Sequence, residues 1–442
     1  MAGRKRQARA APWQSGRVTD GGVDVVVIGA GVAGLAASRR LHKAGLSHVT
    51  LEAADRIGGR VHTDRSVFGV PYDIGAHWLH TRKKNPFADY GLKHGFDIYR
   101  APTDGGSFHV GNRLATEAEK AAYERARKAT RKAIARVARS GRDRAASEVL
   151  PDRGDWALTV DLYVGAYEMG RDLDAVSCID WYESAGGVDF YCREGFGALV
   201  AHWARGIPVE LNTRADVVRW GGAGVEVETP RGTIRARAVL ITVSLGVLAA
   251  GGIRFDPALP EARQEALGQV DMSHYNHVAL RFDRDVFGIP EDGYITYKAR
   301  QEPGGPPLGF GALVNAAGTG ITYCDLGGSL ARALSREGAG TAEEFVLDEL
   351  KRIFGADVGK GLVGRHHFDW TAHPLTLGAY AGANPGGYGG RKVLGRPEAG
   401  KLWFAGEAMG GSLSGTVAGA RKSGVKAAKK LVRALAGRGG PG

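Results

Sequence analysis

The sequence feature that most constrains the fold is a glycine-rich unit between residues 23 and 59. An apolar run at residues 25–28 leads into the turn Gly29-Ala30-Gly31-Val32-Ala33-Gly34, a helical pattern, and a second apolar run that ends at Glu52. In such a unit the first glycine permits a tight turn, the second lets backbone N–H groups approach a pyrophosphate, and the third lets the helix pack closely on the sheet. Glu52 lies eighteen residues beyond Gly34, where it can accept hydrogen bonds from ribose hydroxyls. The unit therefore predicts a dinucleotide site at a helix N-terminus.

A second glycine motif, Arg56-Ile57-Gly58-Gly59-Arg60, follows the acid. Its two glycines let a ligand approach the backbone, and its two guanidinium groups can contact a diphosphate. This extension of the dinucleotide unit favours FAD over NAD as the cofactor.

Length and charge limit the classes of protein to consider. A chain of 442 residues with 43% hydrophobic residues can bury a large core, and its length suggests two or three domains. The net charge of +12 is concentrated at residues 1–17 and 120–144. These stretches lack interleaved aromatic residues, which favours a solvated basic surface over a nucleic-acid site.

The cysteines indicate the expected cellular location, and the amino-terminal residues indicate a disordered segment. Cys178, Cys192 and Cys324 are odd in number and have no C-x-x-C spacing, which argues against a disulfide framework or a zinc site and favours a reducing, cytoplasmic location. Residues 1–17 are basic and are followed by no apolar segment, so they are predicted to be a disordered arm.

The rest of the chain alternates between sheet and helix patterns. Residues 83–180 are charged and alanine-rich and include the capping box Thr116-Glu117-Ala118-Glu119, which predicts a helical insertion. Strand patterns then predict a continuing sheet at residues 209–211, 215–218, 225–228 and 238–243. Further patterns predict an antiparallel sheet with strands at residues 277–282, 294–297, 308–314 and 321–326.

Two helices complete the prediction. One is predicted from a capping box at Thr341-Ala342-Glu343-Glu344 to Gly355, and the other over residues 416–436 after a strand that begins at Lys401. The predicted fold class is α/β: a Rossmann-type FAD-binding domain interleaved with an α+β substrate domain, which contains a mixed or antiparallel sheet and the helical insertion. The FAD-binding domain is assigned to residues 18–82, 192–258 and 376–436, and the substrate domain to residues 83–191 and 259–375.

Four separated segments carry a family resemblance. They are the nucleotide unit with Gly58-Gly59-Arg60 and Gly75-Ala76-His77-Trp78-Leu79-His80, residues 239–248, residues 370–380, and Phe404-Ala405-Gly406-Glu407 with residues 415–420. Together they resemble the flavin-containing amine oxidase family, which includes monoamine oxidases, polyamine oxidases and histone lysine demethylases. The resemblance spans nearly the whole chain.

This resemblance implies cofactor contacts. Beside the three glycines of the turn, Glu52 would hold the adenosine ribose, Arg60 the diphosphate, Val217 the adenine through its backbone, and Glu407 the ribityl chain. Thr416 and Val417, at the start of the last helix, would contact the pyrimidine edge of the flavin, where a helix N-terminus favours negative charge. The stretch from Ala379 to Asn384 contains no cysteine, so FAD is expected to be non-covalent.

One departure from the family pattern concerns the flavin environment. Where the family usually has Lys-Val-x-Leu-x-Phe, this chain has His277-Val278-Ala279-Leu280-Arg281-Phe282. An imidazole can be neutral near pH 7 and can give or take a proton, whereas lysine is a fixed cation. The hypothesis is that His277 faces the flavin as a proton shuttle or polar orienter and that oxygen reoxidises the flavin more slowly. The alternative is a strand histidine held by a neighbouring carbonyl.

The substrate side is predicted less completely. His77, Trp78 and His80 are expected above the flavin, Tyr191 on a substrate wall, and Tyr380 as one of two flanking aromatic residues, with His277, His80 and Tyr380 as the catalytic candidates. The second aromatic position is occupied by Ser414, so the aromatic pair is expected to be incomplete. Arg82, Lys83 and Lys84 disfavour a spermine-like substrate. Adjacent His366 and His367 point to opposite faces of a strand, so no metal is assigned.

The predicted function is an FAD-dependent oxidoreductase that takes a hydride from a carbon bearing an amine. It implies a small-molecule amine substrate, an imine product and O2 as acceptor with release of hydrogen peroxide; no nucleic-acid or membrane partner is expected, and a homodimer is left open. One alternative is a dehydrogenase, desaturase or amino-acid oxidase-like enzyme that acts on a bulkier natural product and is reoxidised slowly by O2. Another is a chromatin-like binding module that keeps FAD structurally.

Overall fold

A computed structural model of the protein describes residues 22–103, 105–184 and 186–437. The basic arm predicted at residues 1–17 lies outside this range. Within it, the α-helices are Val32–Lys43, Pro86–Lys93, Glu117–Arg139, Ala157–Asp161, Cys178–Glu183, Phe196–Ala204, Leu245–Ala249, Glu261–Gln269, Gly328–Glu337, Thr341–Phe354, Gly390–Leu394 and Val417–Gly437. None of the helices in this part of the chain is both long and apolar enough to cross a membrane.

One sheet is built around the glycine-rich unit and has seven strands among the described residues. Its path runs Arg254–Asp256, Val217–Arg219, Val225–Thr229, Gly232–Ile241, Val23–Ile28 and His48–Leu51, with Leu402–Phe404 also paired to Gly232–Ile241. The Val23–Ile28 strand is parallel to both of its neighbours. Val25 and Val27 pack in one apolar cluster, and Val26 and Ile28 pack in another. This two-sided burial explains why the strand reads as a continuous apolar run.

The second sheet also has seven strands in the described part of the chain. Its order is Leu362–His367, Tyr275–Phe282, Ile321–Gly327, Gly311–Leu313, Tyr294–Tyr297, Ser107–Val110 and Arg113–Leu114. Most neighbours are antiparallel, as predicted, although Tyr294–Tyr297 is parallel to Ser107–Val110. Short two-stranded sheets pair Thr63–Asp64 with Tyr72–Asp73, Ile98–Arg100 with Phe190–Cys192, Val270–Ser273 with Tyr380–Ala383, and Arg300–Gln301 with Pro307–Leu308.

Alternation along the Tyr275–Phe282 strand separates a core face from a site face. Val278, Leu280 and Phe282 belong to the large apolar cluster of the second sheet. The odd-numbered residues of this strand point to the opposite face, because successive side chains of a strand alternate between the two faces of the sheet. Tyr275 and His277 on that face border the cavity described below.

The predicted helix caps and short strands have mixed outcomes. Thr116 caps the Glu117–Arg139 helix with a complete capping box, as predicted. The capping box predicted at Thr341 is wrong, because Gly340 is the N-cap and no side chain caps that helix. The strand predicted at residues 209–211 is also wrong, because only Glu210 forms a bridge there, to Leu51. The strand predicted at residues 308–314 is divided into Pro307–Leu308 and Gly311–Leu313.

Candidate active site

A cavity of about 850 Å³ extends from the glycine turn to a group of aromatic side chains near the second sheet. Most of the predicted site residues line it: Gly29, Gly31, Glu52, Arg60, His77, Trp78, His80, His277, Tyr380, Glu407, Ser414, Thr416 and Val417. Gly34, Tyr191 and Val217 do not line it. The cavity thus brings together residues from distant segments of the chain.

The glycine turn leaves space for a ligand at the start of the Val32–Lys43 helix. Gly29 has φ +98°, and a Cβ on Gly34 would lie 1.9 Å from the carbonyl oxygen of Gly29, so both positions require glycine. A Cβ on Gly31 would meet no protein atom within 4 Å. Gly31 is the N-cap and provides no side-chain cap, so the helix N-terminus presents backbone N–H groups at the cavity edge. This arrangement suits a phosphate group.

Glu52 is fixed by backbone hydrogen bonds at the same end of the cavity. Its carboxylate accepts from the Ala30 N–H at 2.7 Å and from the Ala54 N–H at 2.9 Å. The second glycine motif joins the turn through the Gly58 N–H, which donates to the Ala30 carbonyl at 2.9 Å. The two motifs therefore form one continuous lining that includes Glu52 and the open space at Gly31.

Val217 is a predicted site residue that does not line the cavity. It lies buried in the Val217–Arg219 strand. Thr213, Arg214 and Ala215, which precede that strand, border the cavity. The adenine contact through the backbone of Val217 stays a prediction.

Arg60 and Glu407 form an ion pair that joins two remote segments. Arg60 Nη1 lies 3.0 Å from Glu407 Oε1 and donates to the Ala379 carbonyl at 2.7 Å. The buried Glu407 carboxylate also accepts from the Ala381 N–H at 3.1 Å and from the Gly415 N–H at 3.2 Å. These bonds fix the segments that carry Tyr380 and the start of the last helix.

An aromatic pair borders the other end of the cavity. The ring centroids of Tyr275 and Tyr380 lie 5.9 Å apart at 47°, and Tyr167 lies 6.4 Å from Tyr275. Ser414 lines the cavity nearby but contributes no ring. The sequence analysis missed Tyr275, although its position two residues before His277 on a strand predicts the same face. Two aromatic rings are therefore present despite Ser414.

His277 lies buried at the cavity wall. Its ring is 4.8 Å from that of Tyr323 and 5.7 Å from that of His77. Burial lowers the pKa of His277 to about 4, and burial lowers the pKa of His77 well below its usual value. Both imidazoles are therefore neutral at pH 7, so neither provides a fixed cation.

His80 and Trp78 occupy the outer part of the cavity. His80 Nδ1 is 3.2 Å from Asp189 Oδ2, and the ring of His80 stacks on Trp78 with centroids 5.7 Å apart. Tyr191 packs against Trp78 at 4.9 Å and is hydrogen-bonded to Tyr294. Tyr191 therefore supports the cavity wall from behind.

The helical insertion adds carboxylates that the sequence analysis did not select. Glu168 pairs with Arg131 at the cavity wall, and burial raises the pKa of this carboxyl group. Asp180 forms a buried ion pair with Arg391, with 2.7 Å between Asp180 Oδ1 and Arg391 Nε. The wall thus contains acidic groups, whereas Arg82, Lys83 and Lys84, on which the expectation against spermine-like substrates was based, do not line it.

No metal site is assembled in the part of the chain that the structure describes. Within these residues, no group of three or more His, Cys, Asp and Glu side chains is placed to hold an ion. His366 Nδ1 is instead 3.0 Å from the Tyr72 hydroxyl.

Comparisons with known proteins agree with this architecture. Residues 32–432 match the family described as flavin containing amine oxidoreductase. The chain is 31% identical over 450 residues to "Probable polyamine oxidase 4" of Arabidopsis thaliana, covering 92% of this chain and 87% of that protein. It is 26% identical to "Lysine-specific histone demethylase 2" of Homo sapiens over 442 residues, covering 92% of this chain and 53% of that protein.

Solved structures share the fold. Putrescine oxidase in complex with putrescine has a TM-score of 0.77 at 20% identity, covering 93% of this chain and 99% of that one. Cyclohexylamine oxidase from Brevibacterium oxydans IH-35A has a TM-score of 0.73 at 23% identity, covering 94% and 100%. The predicted α/β fold class is therefore confirmed. The predicted division into discontinuous domains stays a prediction.

Proposed function

The chain belongs to the family of flavin containing amine oxidoreductases, and from this premise we propose that it binds FAD non-covalently and oxidises a C–N bond of a small amine. The observation that carries the proposal is one continuous cavity that joins the open space at Gly31 to the Tyr275 and Tyr380 rings. A dinucleotide cofactor with a redox-active ring would occupy both ends of this cavity, with its diphosphate at Gly31 and its ring towards the two tyrosines. Family membership identifies the enzyme class, and the cavity supports the placement of the cofactor and substrate.

The residues at the glycine end fit FAD. The N–H groups near Gly31 would hold the diphosphate, Glu52 would accept the ribose hydroxyls, and Arg60 with Glu407 would border the chain that leads to the flavin. No cysteine lines the cavity among the described residues, which supports non-covalent binding. When bound, FAD supplies a two-electron acceptor for hydride.

The side chains at the other end would bind and orient the amine. The faces of Tyr275 and Tyr380 would pack against the carbon that carries nitrogen, and the aromatic surroundings would exclude water. The substrate must lose its ammonium proton before its carbon releases a hydride. The overall reaction is R–CH2–NH3⁺ + O2 + H2O giving R–CHO + NH4⁺ + H2O2, and it requires no nucleophile from the protein.

The test of this proposal is anaerobic mixing of the FAD-loaded protein with primary, secondary, diamine and polyamine substrates. We expect at least one amine to bleach the flavin absorbance, and admission of air to restore it with one equivalent of peroxide. A colourless protein that takes up no FAD would refute the cofactor assignment. Stable flavin that no amine reduces would refute the reaction.

A second candidate function is amine dehydrogenation with an acceptor other than O2. The observation that favours it is a neutral histidine at position 277, where the resemblance leads one to expect a lysine cation. In His277→Lys, the rate of flavin reoxidation by O2 should rise, measured by stopped-flow with substrate-reduced enzyme. An unchanged rate would count against a role of position 277 in reoxidation. Turnover with an artificial acceptor but not with O2 would favour the dehydrogenase.

A further inference from the structure

A buried carboxyl group lies directly across the sheet from His277. In the antiparallel pairing of Tyr275–Phe282 with Ile321–Gly327, His277 is the register partner of Asp325. Directly opposed residues place their side chains on the same face of the sheet. His277 Nδ1 lies 3.7 Å from Asp325 Oδ1, and both side chains are at most 5% exposed. His277 borders the cavity, whereas Asp325 lies behind it.

The surroundings of Asp325 contain phenols and His277. A Cβ on its other register partner, Gly311, would lie 2.4 Å from the ring of Tyr167, so the glycine lets that ring cover the site. The titratable side chains that face Asp325 from the packed elements are Tyr167, Tyr275, Tyr294, Tyr323, Tyr380 and His277. The Tyr275 hydroxyl lies beside this carboxyl group and lowers its pKa against the larger effect of burial. No arginine or lysine appears among these neighbours.

His277 has an unused hydrogen-bonding atom. Its Nε2 is buried and has no hydrogen-bond partner among the described residues, and the same is true of Asp325 Oδ1. The ring also lies beside the backbone of Asp73 and Ile74, which raises its pKa against the larger effect of burial. The titratable residues around the imidazole are Asp73, His77, His366, His367, Tyr72 and Tyr323. Unpaired buried polar atoms are uncommon in folded proteins and call for a functional explanation.

We propose that Asp325 is a positioning residue whose charge decides whether His277 can accept the proton that the substrate ammonium must lose. The inference rests on the proposed amine oxidation. The substrate N–H bond breaks, its electron pair stays on the amine nitrogen, and a new N–H bond forms at His277 Nε2. The Asp325 carboxylate then faces the resulting imidazolium at Nδ1, so the pair is neutral overall. The neutral amine can afterwards release a hydride from its carbon.

The direction of the pH effect follows from burial. Burial raises the pKa of Asp325 to about 8, so at lower pH the group is a neutral acid beside a neutral imidazole. A neutral acid gives no stabilisation to an imidazolium, and His277 in its desolvated site is a poor base. Above that pH the carboxylate favours protonation of His277. Amine-dependent reduction of the flavin should therefore accelerate as Asp325 ionises.

The experiment compares FAD-loaded wild type, Asp325→Asn and His277→Leu by two methods. Infrared spectroscopy without amine follows the C=O stretch of a protonated carboxylic acid as the pH is raised. The wild type should lose this signal around pH 8, and Asp325→Asn should lack that step. In His277→Leu, the midpoint should move to higher pH, because the carboxylate loses the polar ring beside it.

The second method is anaerobic stopped-flow at saturating amine across the same pH range. The limiting rate of flavin reduction should rise in the wild type and stay flat in Asp325→Asn, with a difference of about a hundredfold at the alkaline end. A wild-type pH profile in Asp325→Asn would overturn the proposal, as would an infrared midpoint unmoved in His277→Leu. If no amine reduces the flavin, the proposed function fails, and the midpoint shift alone still decides whether the pair is coupled. If Asp325→Asn does not fold, the shift of the infrared midpoint in His277→Leu still tests whether Asp325 and His277 are coupled.

Discussion

Replacing Gly31 by alanine separates cofactor binding from folding. Gly31 has φ −66° and ψ 176°, a conformation that alanine adopts without strain, and its added Cβ would meet no protein atom within 4 Å. The position lines the cavity at the helix N-terminus. We therefore expect Gly31→Ala to fold normally and to bind FAD weakly. Gly34→Ala should instead destabilise the protein itself, because its Cβ would lie 1.9 Å from the Gly29 carbonyl oxygen.

The expected magnitudes come from the steric environment. In the protein without cofactor, alanine at position 31 should change the free energy of unfolding by less than about 1 kcal/mol. Restricting the unfolded chain gains about 0.4–1 kcal/mol, and the loss of glycine at the N-cap costs a similar amount. With FAD bound, the methyl group would lie against a close-packed diphosphate, and overpacking of this kind costs about 1–3 kcal/mol. At about 1.4 kcal/mol per tenfold, the Kd for FAD should rise about 5- to 150-fold.

The assay is fluorescence titration of the cofactor-free protein with FAD, combined with thermal unfolding before FAD is added. Gly268→Ala is the matched control, since its Cβ also meets no atom within 4 Å but lies in the Glu261–Gln269 helix away from the cavity. The control should keep wild-type FAD affinity. Wild-type affinity in Gly31→Ala would refute the placement of the diphosphate, and a large loss of stability without FAD would refute the steric argument.

Three further predictions concern stability and reactivity. Arg263→Met should lower the free energy of unfolding by about 3–5 kcal/mol, because it breaks a buried ion pair. Arg193→Met removes a half-exposed guanidinium with a similar set of partners and should cost at most about 1 kcal/mol. Equal shifts in Tm for the two variants would contradict this expectation. Since burial raises the pKa of Asp325 to about 8, its stabilising contribution is complete below about pH 4 and is lost as the pH rises through 8. The Tm of the wild type should therefore fall relative to Asp325→Asn from about pH 5 to pH 8, and a parallel course would contradict the buried acid. Native protein should react with a thiol reagent only on unfolding, and rapid labelling would contradict the burial of Cys178, Cys192 and Cys324.

The glycine-rich unit is predictable because its signals are local. The apolar run at residues 25–28, the spacing of Gly29, Gly31 and Gly34, and the acid at Glu52 each follow from requirements of neighbouring backbone atoms. The structure places Gly34 in close contact with Gly29 and leaves open space at Gly31, in line with the separate roles assigned to them. Each of these requirements can therefore be recognised from a single short motif.

The rest of the site depends on contacts between remote segments. Asp325 has no neighbouring sequence signal for a site residue, and it meets His277 only through strand register. Glu168 and Asp180 border the same cavity as the glycine turn although they are more than 130 residues away from it in the sequence. Thr213, Arg214 and Ala215 line the cavity and Val217 does not, because sequence order does not tell which residue near a strand end borders a cavity. Register and insertion packing are global properties of the fold, so a single sequence does not reveal them.

The exchange of lysine for histidine alters what the opposite strand must provide. A lysine at position 277 would bring its own charge into a buried site and would be stabilised by an ionised carboxyl group opposite it. A neutral histidine imposes no such demand, so Asp325 can remain protonated, as its raised pKa indicates. A charged imidazolium is then buried at position 277 only after a proton has left the substrate. Positions 277 and 325 are therefore best understood as one unit, and the effect of His277→Lys on reoxidation depends on the carboxyl group that faces it.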